Sequence, residues 1–279
     1  MKKLVYTFMA AFALVACTPD NGVSNKVRIS VSFEDEQQPN TGQQRISAVD
    51  KVLEGKHVID VNWSREDILY YQIDNGEIDR TSPFVIVSGA GTKNAIFESD
   101  NLSLKNEKFN LYYGTEIPIT QTIEIDNNNQ TNIDPSVLLY KASDCEIGRT
   151  SQFAPQFALL GVQLYGTENV FDENICIGQN SDINNPNASS VYVCQLKENT
   201  SVNLNNNPIY YFVLPLDYNL MGKSIWLAEK KGHPSVNVNT GYLTFNQQII
   251  LDANVAQIIR ISVNKEDEKT YKIIKYGQQ

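Results

Sequence analysis

No stretch of this chain holds an apolar period of 3.6 residues for three turns, which excludes a fold built on long amphipathic helices. Short β-prone runs recur instead, separated by Asn, Asp and Gly signals such as Asp74-Asn75-Gly76 and Asp126-Asn127-Asn128-Asn129. The clearest is Val27-Arg28-Ile29-Ser30-Val31-Ser32-Phe33, where apolar and polar residues alternate without a break. A period of two puts Val27, Ile29, Val31 and Phe33 on one face, as in a half-buried strand. Further runs fall at Ile68–Ile73, Phe84–Val87, Ala95–Phe97, Phe109–Tyr113 and Gln121–Ile125. The second half continues the pattern at Leu160–Leu164, Val191–Leu196, Ile209–Leu214, Ser224–Leu227, Tyr242–Phe245, Gln257–Val263 and Thr270–Tyr276. Helix is expected only as a turn or two near Asp134-Pro135-Ser136, where an acidic cap precedes a first-position proline. Many short strands with scarce helix predict an all-β sandwich architecture.

The 279 residues suffice for one large domain or two ordinary ones. Ser143–Gln152 has mixed polarity and no strand pattern, so the expected boundary lies there: one sandwich over 27–145 and a second over 146–279. Ahead of them stands a targeting segment over 1–16. Met1-Lys2-Lys3 is basic, and the apolar run Leu4–Val15 is too short for a spanning helix of about 20 residues. It ends Leu14-Val15-Ala16-Cys17, the pattern of a lipobox in which the Cys17 thiol carries a diacylglycerol and its amino group an acyl chain. Several chains anchor stably where one would be marginal. The competing reading is an ordinary cleaved signal with a chance cysteine. Residues 17–26 then form a polar tether, and no later segment is long and apolar enough to span a bilayer.

The net charge of −9 argues against nucleic acid, since phosphate binding needs a basic stripe. Catalytic and cofactor signals are absent, so the expectation is a protein that is not an enzyme. His57 and His233 are isolated in sequence and lack the spacing of a metal pair. Ser88-Gly89-Ala90-Gly91-Thr92-Lys93 lacks the spacing of a phosphate loop and reads as a hairpin turn. Glu66/Asp67 read as a solvated turn rather than an acid/base pair, and Asp126–Gln130 matches no EF-hand pattern. Trp63 with Tyr112 and Tyr113 could form a sugar platform. Export permits disulfides. Cys176 and Cys194 lie in β-prone runs joined by a polar loop, which can bring them together; with Cys145 they can equally be three buried free thiols.

The order of motifs resembles the fimbrillin-like lipoproteins of Bacteroides and Porphyromonas relatives. The resemblance runs from Cys17 through the first strand Val27–Phe33 to Gln44-Arg45-Ile46-Ser47 and Val61-Asn62-Trp63 with its acidic turn. It continues through Ala95-Ile96-Phe97 and Leu111-Tyr112-Tyr113 to Phe153-Ala154-Pro155-Gln156-Phe157 and Tyr210-Tyr211-Phe212-Val213-Leu214-Pro215. Glu66-Asp67 stands where the family has Gly-Asp, Gly114 replaces its usual proline, and Gln156 its usual histidine. The resemblance places Trp63 in a strand motif and so implies core packing for it instead of a sugar platform. It implies two transthyretin-like β-sandwich domains in a subunit of a surface fimbrium involved in adhesion. The lipid-anchored precursor would reach the outer membrane surface, and a protease would cut at Arg45. The first strand, with Val27, Ile29, Val31 and Phe33, would leave, and a strand from another fimbrial subunit would fill the groove by β-augmentation. Thr270–Tyr276 is the candidate donor strand. Partners would be like or unlike subunits, the outer membrane through the lipid, and host or bacterial surface ligands; no cofactor is implied. The alternative is a non-polymerising surface lipoprotein, either a fimbrial anchor or a binder of glycans or host ligands.

Overall fold

A computed structural model describes residues 26–33, 48–53, 56–114, 116–125, 131–133, 137–168, 170–183, 190–197, 200–228, 241–251, 253, 256–265 and 271–278, with backbone alone for 48–60 and 264–278. The described residues are all-β, with regular helix limited to single 3-10 turns.

The strands in chain order are β1 (Val27–Phe33), β2 (Ala48–Leu53), β3 (Lys56–Asp60), β4 (Ile68–Ile73), β5 (Asp79–Ser88), β6 (Asn94–Ser99), β7 (Phe109–Tyr113), β8 (Thr120–Ile125), β9 (Thr131–Ile133) and β10 (Tyr140–Cys145). They continue with β11 (Thr150–Pro155), β12 (Phe157–Tyr165), β13 (Asn174–Gln179), β14 (Tyr192–Leu196), β15 (Ile209–Pro215), β16 (Lys223–Ala228), β17 (Tyr242–Thr244), β18 (Gln257–Lys265) and β19 (Tyr271–Gln278).

These strands form three sheets. The first closes into a seven-stranded barrel in the order β1-β11-β10-β7-β4-β5-β6. The second has four strands, β15-β12-β18-β19, and the third eight, β17-β16-β13-β14-β8-β9-β2-β3. The expected N-terminal sandwich is thus a barrel, because β1 joins β6 to β11 and leaves no edge.

The pairing also departs from a division at 145/146. β10 and β11 lie on either side of that point and pair with each other, Tyr140 opposite Pro155. β8, from the first half, pairs in parallel with β14 of the second. Ser143–Gln152 hides its strand content because barrel strands alternate: in β11, Ser151 and Phe153 are buried while Gln152 is exposed.

β12 and β15 of the four-stranded sheet are buried on both faces, which explains their unbroken apolar runs. Phe157, Leu159, Tyr211, Val213 and Ile258 continue the barrel core. Leu160, Val162, Tyr210, Phe212 and Ile261 pack on the opposite side against Ile123, Ile175, Ile177 and Leu227 of the eight-stranded sheet. β15 is an edge strand of its sheet, and a buried edge must find partners for its backbone. Gln121 of β8 acts as a surrogate strand. Its Oε1 accepts from the Val213 N–H at 2.8 Å and its Nε2 donates to the Val213 carbonyl at 2.6 Å. Thr131 Oγ1 donates to the Ile209 carbonyl at 2.7 Å further along the same edge.

Candidate functional site

Among the described residues the feature with functional content is the slot filled by β1. This strand runs antiparallel to β6, from Val27 opposite Ser99 to Ser32 opposite Asn94. It runs parallel to β11, from Ser30 opposite Thr150 to Phe33 opposite Phe153. Both sets of its partners lie after residue 48 in sequence, so one peptide cleavage between residues 33 and 48 severs β1 covalently from every strand it pairs with. Its alternation becomes burial as read from sequence: Val27, Ile29 and Val31 are each 1% exposed and Phe33 5%.

Phe33 ends the strand in a socket of rings. It stacks on Trp63 at 4.2 Å between centroids and 19° between planes. Tyr140 and Phe153 meet it edge-on at 4.9 and 6.2 Å. Trp63 is buried, as expected of a core residue, and is clasped by the β5–β6 turn. Its N–H donates to the Thr92 carbonyl at 2.9 Å and its carbonyl accepts from the Gly91 N–H at 2.7 Å. The Lys93 carbonyl accepts both from the Trp63 Nε1–H at 3.0 Å and from the Phe33 N–H at 3.1 Å. The glycine-rich segment is therefore the hairpin turn anticipated, and it braces the socket. Gly89 holds φ at +88°, and a Cβ there would lie 2.1 Å from the Asn94 carbonyl oxygen.

The other end of β1 is held by charge. Arg28 donates from Nε to the Glu98 carboxylate, whose side chain is 11% exposed. Lys26 approaches the same carboxylate at 4.0 Å and Asp100 at 3.5 Å.

Beside the socket, the Glu66/Asp67 turn is solvated only in part. Glu66 is exposed, but Asp67 is 8% exposed. Asp67 accepts from the Ser64 N–H at 2.5 Å and from the Tyr113 hydroxyl. Burial outweighs these bonds and lifts its carboxyl from 3.8 to about 6.

The disulfide expectation is corrected. β13 and β14 do pair, but Cys176 lies opposite Val193 and Cys194 opposite Ile175. The two sulfurs consequently point to opposite faces of the sheet, Cys176 with Trp226 and Cys194 with Ile175 and Phe212. Both thiols, and that of Cys145, are free and buried. Burial pushes Cys176 up to about 12 and Cys194 higher still.

Cys17, Arg45, His233 and Asp126–Gln130 lie outside the described residues, as do the side chain of His57 and the Asp134-Pro135-Ser136 turn. Of the candidate donor segment Thr270–Tyr276, Thr270 lies outside the described residues and 271–276 lie in β19, which pairs with β18 along the edge of the four-stranded sheet.

One relation escaped the sequence reading although its signal is plain. Arg28-Ile29-Ser30-Val31 of β1 is identical to Arg260-Ile261-Ser262-Val263 of β18. β18 also sits between a parallel partner, β12, and an antiparallel one, β19. Comparing the chain with itself would have revealed it.

No family model matches the chain, and no curated protein matches it. Among solved structures it is similar to a candidate cell adhesion protein from Bacteroides uniformis, with 8% identity over 94% of this chain and 98% of that one, at a TM-score of 0.44. It is similar to the fimbrial anchor protein Mfa2 of Porphyromonas gingivalis, with 12% identity over 90% and 96% of the two chains, at 0.34. The tip fimbrial protein Mfa3 of the same organism gives 11% identity over 91% and 98%, at 0.32.

Proposed function

We propose that this chain is a structural component of a bacterial surface fimbrium, held to the outer membrane through lipid on Cys17 until cleavage at Arg45 makes β1 exchangeable. The observation that carries the reading is the position of β1. It closes the barrel and buries its whole apolar face, yet one cut in residues 34–47 detaches it from the rest of the chain. Burying four such side chains contributes about 6–12 kcal/mol at about 1.5–3 each, an upper bound because unfolded chains are partly collapsed. The uncut precursor is therefore stable and its slot full. After cleavage the strand stays bound but loses the high effective concentration that the linkage gave it. A strand from another subunit then competes for the backbone of β6 and β11 by β-augmentation. We read the closed barrel and the two-sheet sandwich as the two transthyretin-like units the resemblance implies, the second drawing β2, β3, β8 and β9 from the first half of the chain.

A second reading is favoured by β19. That strand is already engaged in the four-stranded sheet, so donating it would strip an edge from this chain's own fold. A chain that is cut and accepts a strand without giving one is a terminal piece, whereas an anchor held by lipid on Cys17 keeps β1 in its slot, and binding of host or glycan ligands belongs to that same non-polymerising class.

The test is trypsin treatment of the purified precursor with partner subunits present, followed by electrophoresis without boiling. Ladders from wild type that fail with Arg45→Ala support the polymerising role. A chain cut at Arg45 that caps a partner once and grows no further supports the terminal role. A cut chain that keeps its own β1 and binds no subunit overturns the polymerising role and supports the non-polymerising surface lipoprotein.

A further inference from the structure

We infer that the β1 slot reads its occupant at the two ends, through Glu98 and the aromatic socket, and that it selects a strand from a second polypeptide with the pattern apolar–basic–apolar–x–apolar–x–aromatic. The inference rests on the strand-exchange reading above and adds the specificity that reading lacks.

Alternation alone does not fix a register. A slip of one residue turns every apolar side chain outward and is strongly resisted. A slip of two, about 6.6 Å along the strand, keeps the inward face apolar and restores the backbone bonding pattern. Val27, Ile29 and Val31 are all aliphatic and near in size, so the middle of β1 does not discriminate between such registers. The ends do. Sliding β1 one way places Ser30 opposite Glu98, leaving a largely buried carboxylate without its cation, and brings Asp35 to the socket of Trp63, Tyr140 and Phe153. Sliding it the other way keeps a cation at Glu98, through Lys26, but places Val31 where the ring of Phe33 belongs.

β18 supplies a control within the same chain. It carries the same Arg-Ile-Ser-Val core in the same kind of sandwiched position. Its Arg260 Nε donates to Gln163 Oε1 at 2.8 Å, and Arg28 of β1 donates to the Glu98 carboxylate. At the position corresponding to Phe33 it has Lys265. The shared tetrapeptide cannot tell the two slots apart. The residue at the end can: the socket that takes Phe33 keeps a β18-like strand, with Lys265 at that position, out of the barrel.

The experiment uses the full chain with a site-specific protease site placed within residues 34–47, cut, and incubated with a fluorescent peptide of residues 26–33. Unlabelled peptides compete. The peptide with Phe33→Lys is expected to bind about 100-fold more weakly or worse, from the cost of losing a buried ring, and the natural 258–265 peptide equally so. The 258–265 peptide with Lys265→Phe should recover to within about tenfold of the 26–33 peptide. Glu98→Gln in the chain should weaken the 26–33 peptide about 3–10-fold, the difference between a charge-assisted and a neutral bond, and leave the Arg28→Gln peptide unaffected. Equal binding of the 26–33 and 258–265 peptides overturns the inference while leaving strand exchange standing. Failure of the 26–33 peptide itself to enter overturns strand exchange, and the inference with it.

Discussion

Replacing Gln121 by leucine should destabilise the protein far more than an ordinary polar-to-apolar change of similar size. Gln121 is 1% exposed and satisfies both backbone groups of Val213 on the free edge of β15, with N···O distances of 2.8 and 2.6 Å; its Nε2 also donates to the Pro118 carbonyl at 3.1 Å. Leucine fills the same space but leaves a buried N–H and a buried carbonyl without partners. Each orphaned group costs about 1–3 kcal/mol, partly offset by added apolar burial, so a net loss of about 2–4 kcal/mol is expected. Gln121→Glu makes a sharper test. A carboxylate accepts from the Val213 N–H but has no proton to give its carbonyl, and its charge is buried. The folded pKa of the new residue should therefore rise above its unfolded value. Its penalty is fully present above that raised pKa and is relieved as pH falls through it, when the neutral carboxyl donates to the Val213 carbonyl. Urea titrations of wild type and both variants at pH 7 and pH 4, followed by circular dichroism, measure this. The expected result is a Gln121→Glu deficit relative to wild type that shrinks at pH 4, beside a Gln121→Leu deficit that does not. A Gln121→Leu cost below about 1 kcal/mol, or a Gln121→Glu deficit indifferent to pH, would refute the surrogate-strand argument.

Four further outcomes are expected. Phe33→Ala should cost the barrel about 3–5 kcal/mol and Ser32→Ala less than about 0.5, read from Trp63 fluorescence during unfolding in a Trp226→Phe background, since these are the two tryptophans of the chain. Gly89→Ala should cost about 1–3 kcal/mol, because its φ of +88° and its approach to the Asn94 carbonyl exclude a Cβ; a melting temperature matching wild type would contradict this. Asp67, lifted by burial from 3.8 to about 6, carries a penalty present above pH 6 and relieved as pH falls towards 4, worth at most about 3 kcal/mol. Stability curves of wild type and Asp67→Asn should accordingly converge on acidification across that window. The thiols of Cys145, Cys176 and Cys194 should resist an alkylating reagent at pH 8 in the folded chain and react fully in denaturant, with no mobility change on reduction.

Much of this architecture was written in the local pattern. The inward set of β1 and the extents of β4 and β7 follow from runs of alternating or β-prone residues, which report directly which face meets water. The turn at Gly89–Lys93 was legible because it depends on neighbours close in the chain, and the core role of Trp63 because its strand motif resembles a known one. β10 and β11 were not, because their apolar residues are spaced among polar ones that face solvent, so the segment reads as a linker. Sheet membership was not legible either. Which strand pairs with which is decided by contacts between residues far apart in sequence, such as Phe33 with Phe153 and Cys194 with Gln121, and local periodicity carries no record of them. The same limit explains the cysteines. Sequence could bring β13 and β14 together, but the register that sends Cys176 and Cys194 to opposite faces exists only once the strands are paired. The sequence by itself determined the all-β character and the amphipathic first strand. Only the tertiary structure made that strand the closing stave of a barrel, gave its arginine a buried carboxylate and its phenylalanine a ring of aromatics, and turned Gln121 into the partner of a strand edge, because each of these depends on distant residues brought together by folding.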